Sequence, residues 1–217
     1  MSGVSANWAG GHPWAAVYDF VVERESLSRP IGQLLFGTDT RLLYERMRAV
    51  DDVPEGGAVL DIPCGGGVAL RALSPRHELR YVAADIAPDM LVRTEQVAHE
   101  LDLDQVETEI ADVEDLQYRD GEFDLCLSFA GLHCLPNPDV ATSEIARVLK
   151  PGGRFVGSVF LRDGGIRYEP MALLGRLAGV MGPSGGLRDL ERWFDDAGFE
   201  ESHVERSGAI AYFDAVR

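Results

Sequence analysis

Between Ala58 and Phe160 five short apolar runs, at 58–62, 80–85, 106–111, 123–129 and 154–160, alternate with segments whose apolar residues recur at spacings of three and four. Strands separated by helices pair in parallel, because each crossover helix returns the chain to the same end of the sheet. The pattern therefore predicts an α/β, doubly wound sheet with helices on both faces and ligands outside the carboxyl ends of the strands. Pro88 is placed as a first-turn proline for a helix to about Leu101. Asn137-Pro138 offers a cap and first-turn proline for a helix ending near Leu149, and Pro151-Gly152-Gly153 stops it. Gly198 closes a helix that carries Leu190, Trp193 and Phe194 on one face. Residues 201–206 and 209–216, around Ser207-Gly208, read as an antiparallel hairpin. The expected fold is a Rossmann-like, seven-stranded, mostly parallel sheet with a C-terminal antiparallel hairpin.

Two flanking segments fall outside the alternation. Trp14, Val17, Tyr18, Val21 and Val22 repeat with helical spacing, as do Leu43, Met47 and Val50 beyond a Gly37-Thr38-Asp39 break. After the fifth run, residues 161–186 are glycine-rich at both ends with an apolar helix between, and they leave the sheet at its carboxyl edge. No linker divides the chain, so we expect one domain over 1–217. Its parts are a helical cap (1–50), a core (58–160), a lid (161–186), and a closing helix and hairpin (187–217).

A formal net charge of −16 repels polyanions, which argues against a nucleic-acid partner whose binding rests on Lys and Arg. Cys64, Cys126 and Cys134 form no CxxC pair, and neither a signal-peptide pattern nor a run of 18 apolar residues is present. The expectation is a cytoplasmic chain with no membrane association; the oligomeric state stays open. No spacing of His, Cys and carboxylates suggests a metal site.

The stretch VLDIPCGGG, 59–67, ends a strand at Asp61 and turns through glycines into a helix beginning near Gly67, which lets a ligand approach the backbone and helix N–H groups. Asp85 ends the next strand, where a carboxylate can accept from the two hydroxyls of a ribose. Asp112, in IADVEDL after the third run, can accept from an adenine amine. An adenosine-type ligand follows. A dinucleotide does not, because Leu70 stands where the third glycine of GxGxxG is required.

At this point the chain resembles the class I S-adenosylmethionine-dependent methyltransferases, through VLDIPCGGG, ADIAPDML, IADVEDL, FDLCLSFAGLHCLPNP and LKPGGRF in that order. The resemblance implies S-adenosyl-L-methionine as cofactor and S-adenosyl-L-homocysteine as product. It implies that Asp61, Gly65 and Gly67 hold the methionine end, and that Asp85 holds the ribose. Ile86 and Met90 would touch the adenine face, with Asp112 and the Val113 N–H reading its edge. Ser128 and Phe129 open the segment, reaching Gly131, that meets the cofactor's amino group. Pro63, in the same turn, stands where the family has its first glycine, and it has no N–H to donate.

Methyl transfer from a sulfonium is an in-line displacement in which positioning does most of the work. His133 lies just beyond the fourth strand, where an imidazole can take a hydroxyl proton or can hold its loop by hydrogen bonds. Trp14 and Tyr18 from the cap, with Phe20 beside them, and Arg167, Tyr168 and Met171 from the lid are the candidate acceptor-binding residues, together with His133. Aromatic and Met-rich covers suit a small hydrophobic acceptor, methylated on oxygen or, for a quinone or polyketide-like ring, on carbon. The alternative is a cofactor-binding module or partner subunit that transfers nothing.

Overall fold

The computed structural model describes residues 25–177, 181–182 and 185–217. Trp14, Tyr18 and Phe20 lie outside the described residues, as does the side chain of Met171. Two helices come first, α1 (Glu25–Leu35) and α2 (Arg41–Met47). The sheet follows in β1 (Ala58–Asp61), β2 (Arg80–Asp85), β3 (Val106–Ile110), β4 (Phe123–Phe129), β5 (Leu149–Phe160), β6 (Glu201–Ser207) and β7 (Ile210–Val216). Between them run α3 (Pro88–Glu100), α4 (Pro138–Val148), α5 (Glu169–Leu177) and α6 (Leu187–Ala197).

The strand order is β3-β2-β1-β4-β5-β7-β6; β1 to β5 are parallel, while β7 runs antiparallel to both β5 and β6. The order reverses between β1 and β4, so a crevice opens where their carboxyl ends part. Alternation sends neighbouring residues of one strand to opposite faces. Val59, Tyr81, Ala83, Leu125 and Leu127 pack with Leu43, Met47 and Leu91 on one side. Leu60, Val82, Cys126 and Phe155 pack with Ile145, Leu190 and Phe194 on the other. There Phe155 meets Phe213 at 4.8 Å and Phe194 at 6.0 Å between ring centroids. Each such pair adds about 0.5–1.5 kcal/mol beyond the area it buries.

Three local expectations are corrected. No α-helix starts at Gly67; the chain makes a 3-10 turn over Val68–Ala72 and Leu73 is already extended. Ser74 precedes Pro75, which disfavours helical backbone there and leaves space for little more than one turn. Pro151-Gly152-Gly153 does not precede the fifth strand but is an irregularity inside it: Leu149 pairs with Phe123, the register shifts, and pairing resumes from Arg154 opposite Leu125. Asn137 does not cap α4 with its side chain. Instead its backbone N–H and its Nδ2 donate to the two carboxylate oxygens of Glu114, both at 2.8 Å, tying the loop after β3 to the start of α4.

Candidate active site

The carboxyl ends of β1 and β2 bring two acids onto one face of the sheet. Asp61 is 2% exposed and Asp85 6%. Tyr81, fully buried on β2, donates its hydroxyl to Asp61 Oδ2 at 3.0 Å. Among the described residues Asp61 Oδ1 accepts no hydrogen bond. Burial, with the Asp85 charge adding to it, pushes the Asp61 carboxyl up to about 7. Asp85 is likewise raised by burial, against N–H donors from Ala87 and Gly65, each 2.9 Å from a carboxylate oxygen.

Gly65 belongs to the glycine turn, and Ala87 precedes α3. Gly65 has φ +53°, and a Cβ built on it meets nothing within 4 Å, so the turn presents bare backbone to open space. Gly67, at φ +80°, is instead crowded: its Cβ would lie 3.2 Å from both the Thr94 Cα and Leu70 Cδ1. Thr94 on α3 clamps the turn from behind, Oγ1 donating to the Gly65 carbonyl at 2.8 Å. Pro63 closes the other side against Gly131, whose Cβ would come within 2.5 Å of the proline ring and 2.7 Å of Ser128 Oγ. Ser128 itself is fully buried, and its hydroxyl has no hydrogen-bond partner. An unpaired buried hydroxyl costs about 1–3 kcal/mol unless something satisfies it.

At the β3 side, Asp112 is exposed and its Oδ1 accepts from the Glu114 N–H at 3.0 Å, while Val113 is buried. Ile86 is half-buried, and Ala87 and Met90 form a small apolar pair. Phe129 is buried at the end of β4. Beyond it His133 Nδ1 accepts the Phe160 N–H at 3.3 Å, so the neutral imidazole carries its proton on Nε2. Burial holds this imidazole down at about 4. The Phe160 ring sits 6.1 Å from that of His133 and 6.0 Å from that of Phe36. Tyr168 packs against the same cluster, and the exposed Arg167 guanidinium lies 5.7 Å from the Tyr168 ring and donates to the Leu34 carbonyl at 3.4 Å. Beyond α5, the Gly182 N–H donates to the His133 carbonyl at 2.8 Å, tying this segment to the loop after β4.

The geometry thus brings Asp61, Gly65 and Asp85 together, packs Pro63 and Ser128 around Gly131, puts Gly67 behind the turn against Thr94, and clusters His133 and Tyr168 with Phe160. Tyr81, Thr94 and Phe160 were missed by the sequence reading. Tyr81 did leave a signal: a tyrosine in a buried strand, on the face of Asp85, needs a partner for its hydroxyl.

A seven-stranded sheet of this order, with a glycine turn after β1 and a buried acid ending β2, defines a nucleoside-cofactor-binding α/β protein. Residues 60–157 match the family model described as a methyltransferase domain. The 27-O-demethylrifamycin SV methyltransferase of Amycolatopsis mediterranei is 30% identical over 56% of this chain and 45% of its own length. The ubiquinone/menaquinone biosynthesis C-methyltransferase of Hydrogenovibrio crunogenus is 38% identical over 54% of this chain and 47% of its own. A phosphoethanolamine N-methyltransferase of Haemonchus contortus, solved with S-adenosylhomocysteine, superposes with a TM-score of 0.70 at 16% identity, over 86% of this chain and 56% of that one. Over residues 60–157 the chain is thus similar to S-adenosylmethionine-dependent methyltransferases. It spans about a third to a half of the length of the curated relatives it matches.

The crevice fits the family's cofactor. Two buried carboxylates suit a ligand that carries an ammonium and a sulfonium, the bare backbone at Gly65 leaves room for it, and the Ser128 hydroxyl still lacks a partner.

Proposed function

We propose that the chain transfers a methyl group from S-adenosylmethionine to a small, hydrophobic organic acceptor, with an oxygen favoured as the methylated atom. The observation that carries this reading is an aromatic cluster of Phe160, Phe36, Tyr168 and His133, next to Cys134, whose thiol feels the charge of Asp85. The cofactor supplies an electrophilic methyl on sulfur. Asp61, Gly65 and Ser128 would hold its amino-acid end, Asp85 its ribose, and Ile86, Met90, Asp112 and Val113 its base. The aromatic wall would orient the acceptor and exclude water. The whole-chain charge of −16 favours acceptors without an anionic group.

His133 enters this scheme as a positioning group. Its Nδ1 already accepts the Phe160 N–H, so proton removal at that atom would first require the bond to break. Neutral near pH 7 and packed against Phe160, it suits a group that shapes the acceptor side without adding charge. Arg167, Tyr168 and Met171 on the lid, and Trp14 and Tyr18 on the cap, complete the acceptor side in this reading. Among the described residues no helix is long and apolar enough to cross a membrane, and Cys64, Cys126 and Cys134 are free thiols, which suits a reducing compartment such as the cytoplasm.

The two relatives above, one acting on an oxygen of a demethylrifamycin and one a quinone-pathway C-methyltransferase by name, support a screen of phenols, quinols and macrolide-like alcohols. Transfer of labelled methyl to a member of that set supports the reading. Tight S-adenosylhomocysteine binding with no transfer to any neutral acceptor would favour the cofactor-binding module instead.

A further inference from the structure

Tyr81 is the one fully buried tyrosine among the described residues that reaches a carboxylate of the crevice. It stands on the same face of β2 as Asp85, and its hydroxyl takes one oxygen of Asp61 and leaves the other without a partner. A buried carboxylate held on one side only is fixed in orientation but not neutralised. We propose that Tyr81 is a positioning residue for the cofactor: it aims the Asp61 carboxylate at the cofactor's ammonium group, and Asp61 gives up a proton when that group binds. The proposal rests on the assignment of this crevice to S-adenosylmethionine.

The groups around Asp61 are consistent with this. From β2 it faces Tyr81 and Asp85, from the turn Cys64, with Thr94 of α3 beside that thiol, and from β4 Cys126. Burial pushes both thiols up, so they carry no charge near pH 7, and among the described residues no Lys, Arg or His acts on Asp61. With no cation of its own beside it, the acid holds its proton up to about pH 7. A bound ammonium supplies the missing positive charge, stabilises the carboxylate and releases the proton to solvent. Below pH 7 a free α-ammonium is itself almost fully protonated, so a proton lost in that window comes from the protein.

The test is calorimetric titration with S-adenosylhomocysteine, which carries the ammonium without the sulfonium, between pH 5.5 and about 8, in pairs of buffers with different ionisation enthalpies. Wild type should release close to one proton per ligand near pH 6, and its affinity should weaken about tenfold per pH unit below the midpoint. Tyr81→Phe keeps the ring but removes the bond that favours the charged carboxylate, and should raise the midpoint by about one unit. Asp61→Asn should abolish the release. A tyrosine that serves packing alone would leave the midpoint unchanged and move only the melting temperature, and that result would overturn the proposal. So would zero proton exchange in wild type, or a release that survives in Asp61→Asn, which would assign it to Asp85. If Tyr81→Phe fails to fold, wild type and Asp61→Asn still decide. Absence of binding at every pH would sink the cofactor assignment, and this proposal with it.

Discussion

The two sides of the crevice are built differently. The end of β1 and β2 is stitched: Asp85 accepts the Gly65 N–H of the turn and the Ala87 N–H, Thr94 Oγ1 donates to the Gly65 carbonyl, and Tyr81 donates to Asp61, all at 2.8–3.0 Å and all buried or part-buried. The segment after β5 is more open: α5 buries Ala172 but leaves Leu173, Leu174 and Leu177 at 52%, 62% and 76% exposure, and the Gly182 N–H beyond it donates to the His133 carbonyl. A site that must hold a reacting group within a narrow geometry needs the first kind of construction. A surface that selects among acceptors tolerates the second, since local opening there costs little.

The largest expected effect lies on the stitched side. Asp85→Ala should weaken S-adenosylhomocysteine binding by about 100-fold, the loss of two hydrogen bonds to a charged group. It should also lower the melting temperature, because the Gly65 and Ala87 N–H groups lose their acceptor. Titration alongside a thermal melt separates the two, and wild-type affinity would remove Asp85 from the site.

A pair of glycine variants sharpens the comparison within the turn. Gly67→Ala should destabilise the fold by about 1–2 kcal/mol, since φ is positive and Thr94 is in the way. Gly65→Ala pays the same backbone cost in open space, but its methyl enters the crevice, so ligand affinity should fall by about tenfold or more beyond any change in melting. Equal affinity in Gly65→Ala would mean that the ligand does not approach the turn.

Acid titration of the ligand-free protein tests the electrostatics. Asp61 is raised in the folded state, so between the unfolded carboxyl value and about pH 7 the native chain binds the extra proton, and this group's contribution weakens as pH rises through that window. His133 is lowered to about 4, so from its ordinary value down to pH 4 the unfolded chain binds the extra proton and stability falls as pH falls. The two oppose each other. Asp61→Asn should remove the first, so that the melting temperature falls more steeply than in wild type from pH 6.5 to 4.5, with the raised Asp85 acting alike in both; an unchanged slope would contradict the elevated Asp61 carboxyl.

The smallest effects belong to α5. Leu177→Ser should change stability by less than about 0.5 kcal/mol, as expected of an exposed site. If this segment covers the acceptor, the variant should raise the acceptor KM while leaving cofactor affinity alone. A melting temperature several degrees lower would show that Leu177 packs in the folded state.

Much of this was legible beforehand because it rests on period and on glycine. The strand ends at Asp61 and Asp85 follow from alternation meeting a turn, and the closing helix and hairpin from Gly198 and Ser207-Gly208. What escaped is set by tertiary partners. Asn137 looks like a cap in the chain but is captured by Glu114, and the helix expected at Gly67 yields to the proline at 75. Nδ1 of His133 is occupied by the Phe160 N–H, a contact between residues 27 apart that no local pattern announces. The Tyr81–Asp61 bond also spans two strands, and only the oddity of a tyrosine in YVAAD hinted at it.

The most direct test of the central claim is calorimetric titration of the wild-type chain at pH 8 with S-adenosylhomocysteine and, in parallel, with NAD. The crevice described above predicts one tight site for the adenosyl amino acid and none for the dinucleotide. No heat with S-adenosylhomocysteine, or binding of NAD in its place, would contradict it.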